Sequence, residues 1–357
     1  MKRLILCADG TWNIRDQLDE KSGKRRPTSV TKLARSVRAR ARDGVDQVVF
    51  YLDGVGTDGG MDKLTGGAFG RGIEDNVREL YRFLVYNYVP GDQVFLFGFS
   101  RGAFTVRTLA GFLNAVGLAG KDDDYYVPEL YAIYDKSLTG ADPRFARVKQ
   151  QCADIRPAPP IRMIGVWDTV GALGAPGVLG KFINPGKYKY HDVSLVPQIE
   201  HAFHAMAIGE RRKAFAVDLW QRPAGWRGHL EQAWFPGVHC GVGGSYRPDG
   251  LANEALHWMV EKAEGLGLEV DAEYLAHFRP CFNSQHHESF DFKYRLMGEH
   301  VRPVGAAREH GESLHQSVLD RMAHAPCDYR PANLPDPNAI GALPVCTTTR
   351  VPRGIAC

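Results

Sequence analysis

The sequence predicts an α/β fold with a mostly parallel central sheet flanked by helices, and three observations carry that prediction. Short apolar runs recur along the 357 residues, each of strand length. Segments with helical periodicity alternate with them, long enough to cross over a parallel sheet. Several of the runs end at an aspartate followed by small residues, as at Asp9-Gly10 and Asp53-Gly54, which suits strand ends that open onto a shared edge.

The elements follow in order. Leu4 to Ala8 is the first strand, and Asp9-Gly10-Thr11 closes it. Gln47 to Leu52 is the second, ending at Asp53-Gly54-Val55-Gly56-Thr57. An amphipathic helix then places Ile73, Val77, Leu80, Tyr81, Leu84, Val85 and Tyr88 on one face and stops at Pro90-Gly91. Gln93 to Phe97 is the third strand, and Ala103 to Val116 is an apolar helix ending at Gly117. Ile161 to Trp167 is the fourth strand and runs into Asp168. Val196 to Arg212 reads as a helix carrying His201 and His204; Ala214 to Trp220 and Leu230 to Phe235 read as further strands. Residues 120–160 read as a helical insertion, a cap or lid over the active site, and residues 172–198 as a loop near the same face. The Pro-rich stretch 326–357 reads as an irregular C-terminal wrap. With no internal repeat and no linker in evidence, residues 1–357 are expected to form a single domain.

Bulk composition excludes several classes. The formal net charge is +3, with 24% charged and 44% hydrophobic residues, which is ordinary for a globular protein. One dense basic run spans Lys21 to Arg42. It fits a basic loop followed by the solvated face of a helix better than a nucleic-acid patch, so no nucleic-acid partner is expected. No apolar stretch approaches a membrane span. The apolar run after Met1-Lys2-Arg3 is too short for a signal-peptide core and is closed by Asp9. Seven cysteines stand far apart with no CxxC pair, so neither a disulfide framework nor a zinc site is expected, and the compartment reads as reducing and cytoplasmic.

The chemistry centres on Gly98-Phe99-Ser100-Arg101-Gly102. A GxSxG pattern alone is weak, but this one follows an apolar strand and opens a helix, the context of a nucleophile elbow. The elbow's tight turn needs small residues two positions either side of the serine, which Gly98 and Gly102 supply. The start of the following helix offers backbone N–H groups to a developing oxyanion, with Arg101 N–H as the expected donor. The structural alternative is a plain glycine turn between strand and helix.

A nucleophilic serine needs a base, and the base needs an orienting carboxylate. Of thirteen histidines, His239 stands out, in a glycine-rich segment just after a strand-like run. Asp168 leaves the fourth strand on the same edge as the elbow; a helix cap or turn is its alternative role. Asp9, Gly10 and Thr11 are expected to line that edge too, providing a second oxyanion donor or a substrate contact. A divalent cation held between Asp9 and Asp53 is the alternative, but no spacing demands it, so no metal and no cofactor are expected.

These residues resemble a known family. Leu6-Cys7-Ala8-Asp9-Gly10-Thr11-Trp12-Asn13 resembles the opening of the DUF2235 proteins, a domain also described as the catalytic domain of Tle1-like phospholipase effectors of type VI secretion. Gly54-Val55-Gly56-Thr57, Gly98-Phe99-Ser100-Arg101-Gly102-Ala103, Val166-Trp167-Asp168-Thr169-Val170-Gly171-Ala172, Glu210-Arg211-Arg212 and Trp234-Phe235-Pro236-Gly237-Val238-His239 extend the likeness. It implies an α/β-hydrolase fold and an ester or lipid hydrolase with Ser100 as nucleophile, His239 as base and Asp168 as acid. Two positions depart from the family pattern. Gly209 precedes Glu210-Arg211-Arg212 where an aspartate is usual, and Cys240-Gly241 follows His239 where Ser-Asp is usual.

The expected activity is therefore hydrolysis of small carboxylic esters through a Ser-Asp-His triad. A phospholipase with transient membrane-surface contact is the second reading. A binding module that kept the elbow as scaffold is the third, favoured by the two lost carboxylates.

Overall fold

A computed structural model describes residues 1–19, 23–56, 66–135, 143–171, 195–295, 298–334 and 343–349. Its centre is a sheet of eight strands: β1 (Lys2–Ala8), β2 (Asp46–Leu52), β3 (Gln93–Phe99), β4 (Ile161–Trp167), β5 (His201–Ala207), β6 (His229–Phe235), β7 (Glu312–His315) and β8 (Val345–Cys346). Every pairing is parallel, in the order β8-β7-β6-β5-β4-β3-β1-β2. From β1 the chain moves outward to β2, then crosses back to β3 and continues the other way. The order thus reverses between β1 and β3, and the crevice at their C-terminal ends is where such sheets hold ligands.

Alternate residues of the strands feed two core layers. Leu4, Leu6, Leu96 and Ile164 point to one layer with α2 (Gly66–Asn87) and α3 (Arg101–Val116). Ile5, Cys7, Phe95, Phe97 and Met163 point to the other, covered by α1 (Ser29–Ser36) and the later helix Gly250–Gly265. The face read from sequence on α2 is the buried one: Ile73, Val77, Leu80, Tyr81, Leu84 and Val85 are all inside.

Four expectations are changed by the structure. Val196 to Arg212 is not a helix; its centre is β5, with Ala202 through Ala207 buried. A strand covered on both faces reads as a continuous apolar run without alternation, and periodicity cannot separate that from a buried helix. Ala214 to Trp220 is not a sheet strand; it begins in a short 3₁₀ turn, Lys213–Phe215, and makes one bridge, Val217 to Val170. The described part of 120–160 does not lie over Ser100. There Tyr131 and Tyr134 pack on Phe112, about 17 Å along α3 from its first residue at 1.5 Å per residue. Cys281 is disulfide-bonded, whereas no disulfide was expected. The loop at 172–194 lies outside the described residues.

The basic run divides at the end of α1, which holds only Lys32 and Arg35 of the arginines and lysines from Lys32 on. Lys32 is buried on α1 against Asp249 and Asn253, while Arg35, Arg38, Arg40 and Arg42 pair with Asp16, Asp271, Asp46 and Glu269. No helix among the described residues is long and apolar enough to cross a membrane. Of the stretch 326–357, Tyr329, Leu334 and Leu343 pack on Met206, Trp234 and Val318, and Val345–Cys346 adds the edge strand β8.

Candidate active site

Ser100 sits between β3 and α3 with φ 57° and ψ −119°, a conformation that L side chains rarely adopt. The sharp turn demands glycine on both sides. A Cβ on Gly98 would lie 2.5 Å from Gly102 O, and one on Gly102 would lie 2.1 Å from Ala8 O and 2.6 Å from Asp9 O. Both clashes are with backbone, so no side chain can move to relieve them. Gly102→Ala should therefore destabilise the fold by about 3 kcal/mol or more, read as a lower urea midpoint; an unchanged midpoint would contradict this packing.

The three residues singled out as nucleophile, base and acid come together. His239 Nε2 lies 2.8 Å from Ser100 Oγ, and His239 Nδ1 lies 2.6 Å from Asp168 Oδ2. All three are buried. His239 opens a single helical turn, His239–Gly243, at the end of β6, and its own N–H donates to Glu210 Oε2 at 3.2 Å. Its ring lies between Phe99 and Phe215, with centroid distances of 4.7 and 4.9 Å. Burial among these groups lowers the imidazole's pKa, and the hydrogen bond to Asp168 only partly offsets this.

Asp168 stands at the end of β4 with φ 42°. Burial alone would raise its pKa, but Arg302 and His239 more than offset that and hold the carboxyl well below the usual carboxylate range. Arg302 is fully buried and grips both oxygens, Nη1 to Oδ1 at 2.5 Å and Nη2 to Oδ2 at 2.9 Å. Ala207 N–H donates to Oδ1 at 2.8 Å. Glu210, at the end of β5, carries Arg212 on both carboxylate oxygens and accepts from Ser289 Oγ. Burial raises its pKa, and the bonds and charge of Arg212 more than reverse this, to about 2. Glu210 thus joins Arg212 to the His239 backbone as a fixed charge.

Asp9, Gly10 and Thr11 lie where expected, beside the nucleophile: a Cβ on Gly10 would be 3.2 Å from Ser100 Cβ. Their bonding differs from the expectation. Asp9 Oδ1 accepts the Gly10 N–H at 2.7 Å, so that donor is already engaged. Asp9 Oδ2 accepts hydroxyls from Thr28, Thr31 and Tyr51. The Trp12 N–H goes to Val55 O. Thr11 keeps a buried hydroxyl with no partner among the described residues. Asp9 and Asp53 do not share a site, because Asp53 bonds to Arg15 through both its backbone N–H and its guanidinium. Among the described residues no group of three His, Cys, Asp or Glu is placed to hold a metal ion.

Of the other histidines, His204 is buried on β5 and accepts the Thr169 N–H through Nε2, and His315 caps the helix Gln316–Ala323. A cavity of about 390 Å³ lies behind Glu210 and Arg302, reaching His286 and Tyr329; Ser100, Asp168 and His239 do not line it.

Residues 2–262 match the family described as the catalytic domain of the Tle1-like phospholipase effector of type VI secretion. The chain belongs to that family. As a Tle1-like catalytic domain it is similar to the uncharacterized protein YEL023C of Saccharomyces cerevisiae, 27% identical over 239 residues, which covers 60% of this chain and 32% of the yeast protein. Among solved structures it is similar to an uncharacterized protein from Pseudomonas aeruginosa, with a TM-score of 0.43 and 16% identity over 79% of this chain and 49% of the other. It is also similar to a Tle1 effector bound to the VgrG spike of a type 6 secretion system, with a TM-score of 0.37 and 20% identity over 69% and 51%. The Tle1-like chain spans about a third of the yeast relative and about half of each solved chain. Glu210, Arg211 and Arg212 of the sequence likeness follow a strand here, not a helix, and Gly209 N–H bonds to Gly237 O.

Sequence reasoning missed Arg302 altogether and gave Glu210 no task. The Glu210-Arg211-Arg212 run was a usable signal, since adjacent opposite charges in an apolar setting imply a buried ion pair. Arg302 offers none: its neighbours His300, Val301 and Pro303 form no motif.

Proposed function

We propose that this chain is a serine hydrolase of carboxylic esters, with the acyl esters of phospholipids as its substrate class. The observation that carries the reading is the buried relay Ser100–His239–Asp168, with donor and acceptor separations of 2.8 and 2.6 Å. That is the geometry general-base activation of a hydroxyl requires. Membership of a phospholipase-effector family supports a lipid ester over a small soluble one.

In this mechanism Ser100 Oγ attacks the ester carbonyl as His239 Nε2 takes its proton. Asp168 holds the Nδ1–H tautomer and stabilises the imidazolium. The Arg101 N–H, at the first turn of α3 beside the nucleophile, faces the developing oxyanion. The second donor is the Thr11 N–H, because Asp9 already holds that of Gly10. The imidazolium protonates the leaving alcohol; water activated by the same base then releases the fatty acid. These steps need no cofactor.

The test compares short-chain nitrophenyl esters with phospholipid vesicles, each with and without a fluorophosphonate. Fluorophosphonate-sensitive release of fatty acid from vesicles, faster per site than nitrophenol release, is the expected result. Faster turnover of the short esters favours a small-ester esterase. Failure to take the label at all leaves a binding module on a hydrolase scaffold.

A further inference from the structure

The relay is held by a residue remote from it in sequence. Arg302 is 134 positions from Asp168 and lies beyond residue 262, where the family match ends. Its guanidinium donates four hydrogen bonds: two to Asp168, one to Ala207 O at 2.7 Å and one to Phe215 O at 2.7 Å. It therefore ties the ends of β4 and β5 to the loop whose Phe215 ring packs on His239. A planar fork on a carboxylate fixes the carboxylate's rotation as a point charge does not.

We propose that Arg302 is a positioning residue for ester hydrolysis: its two-pronged grip fixes the Asp168 face that meets His239 Nδ1, and its charge behind the pair opposes the pair's protonation. The inference rests on the serine-hydrolase reading. The charged and titratable groups around the pair support it. Glu210 accepts the His239 N–H, but Arg212 sits on both its oxygens, so that ion pair is locally neutral. His204, one strand over, has its pKa lowered to about 3 by burial and stays uncharged. Cys240 follows His239 and is held as a thiol by burial. Tyr294 faces Arg212 through its ring. Arg212 lowers the imidazole's proton affinity and Glu210 raises it. Arg302 is the cation bonded directly to Asp168 and lowers that carboxylate's pKa, so it acts on the imidazole through Asp168.

The test uses the whole chain, with sites counted by fluorophosphonate titration and kcat/KM for a soluble ester measured against pH. Arg302→Met keeps much of the length and removes the charge. Turnover per titrated site is expected to fall about 100-fold, of the order seen when groups orienting a reactive side chain are lost. The acid limb is expected to move up by about one to two pH units, because a nearby cation no longer disfavours the proton. Arg302→Lys restores the charge without the fork, so its acid limb should stay near that of the unmodified chain while turnover recovers only in part. A purely structural role would lower the number of titratable sites and leave turnover per site and the acid limb unchanged; that result overturns the proposal. If the methionine variant does not fold, the lysine variant decides, and full turnover per site there overturns the locking role. In the unmodified chain the acid limb should lie below the ordinary histidine value of about 6.5, and a limb above it overturns the electrostatic role. A chain that takes no label at all refutes the Ser100 reading itself; a labelled chain with an indifferent Arg302→Met refutes Arg302 alone.

Discussion

Replacing Ser100 with alanine is expected to lower kcat/KM for an ester by about 10⁴- to 10⁶-fold, the range lost when a triad nucleophile is removed. The size follows from what Oγ does: it is the atom that bonds to the acyl carbon, and among the described residues His239 bonds to no other hydroxyl that could replace it. The fold should survive. Ser100 keeps its left-handed φ of 57° because β3, α3 and the clashing Cβ positions at Gly98 and Gly102 leave no other path, and alanine meets the same backbone demand as serine. What is lost internally is one hydrogen bond to His239, worth about 1 kcal/mol. The urea midpoint should therefore fall only slightly, by the worth of that one bond, while turnover and fluorophosphonate labelling vanish. Adding His239→Ala to Ser100→Ala should cost little more, since the two act as a unit. A Ser100→Ala protein that still takes the label would move the nucleophile elsewhere.

Much of the layout was legible because local patterns dictate it. The helical face of α2 and the glycines two places either side of Ser100 are set by geometry within a few residues. The ends of β1, β3 and β4 announce themselves as apolar runs stopping at Asp9, Ser100 and Asp168. Parallel strands all deliver their C-termini to one edge, so a correct reading of those strands brought candidate residues together without a structure. The failures share one cause, which is that the deciding interaction is nonlocal. His201-Ala-Phe-His-Ala-Met-Ala has no period to betray it as β5; only burial between two helical layers makes it a strand. Residues 120–160 looked like a lid because they interrupt the rhythm, yet Tyr131 and Tyr134 find their partner in Phe112 at the far end of α3. The Asp9-Gly10-Thr11 turn was read as a donor because it ends a strand on the elbow's edge, and the neighbouring Asp9 carboxylate is what occupies the Gly10 N–H. Arg302 meets Asp168 only once the chain has gone round the sheet.

Asp168→Asn should be the most damaging conservative change in the molecule, because it strikes activity and stability together. Asparagine keeps the shape, but its amide nitrogen cannot accept from His239 Nδ1–H. If that nitrogen faces the imidazole it forces the other tautomer, and Nε2 then carries a proton where it must accept one from Ser100. Turnover is expected to fall about 10⁴-fold on that ground. Stability falls for a separate reason. The Arg302 side chain has no solvent exposure, and the Asp168 carboxylate is the anion it grips. Removing one partner of a buried ion pair strands the other, at a cost of about 3–5 kcal/mol. Ser100→Ala should show the first loss without the second, so the pair of variants separates chemistry from scaffold. The double variant Asp168→Asn with Arg302→Met removes the stranded charge. It should regain a good part of the lost stability as a higher urea midpoint, with turnover still depressed. A double variant no more stable than Asp168→Asn alone would mean that the stranded guanidinium is not what destabilises the fold.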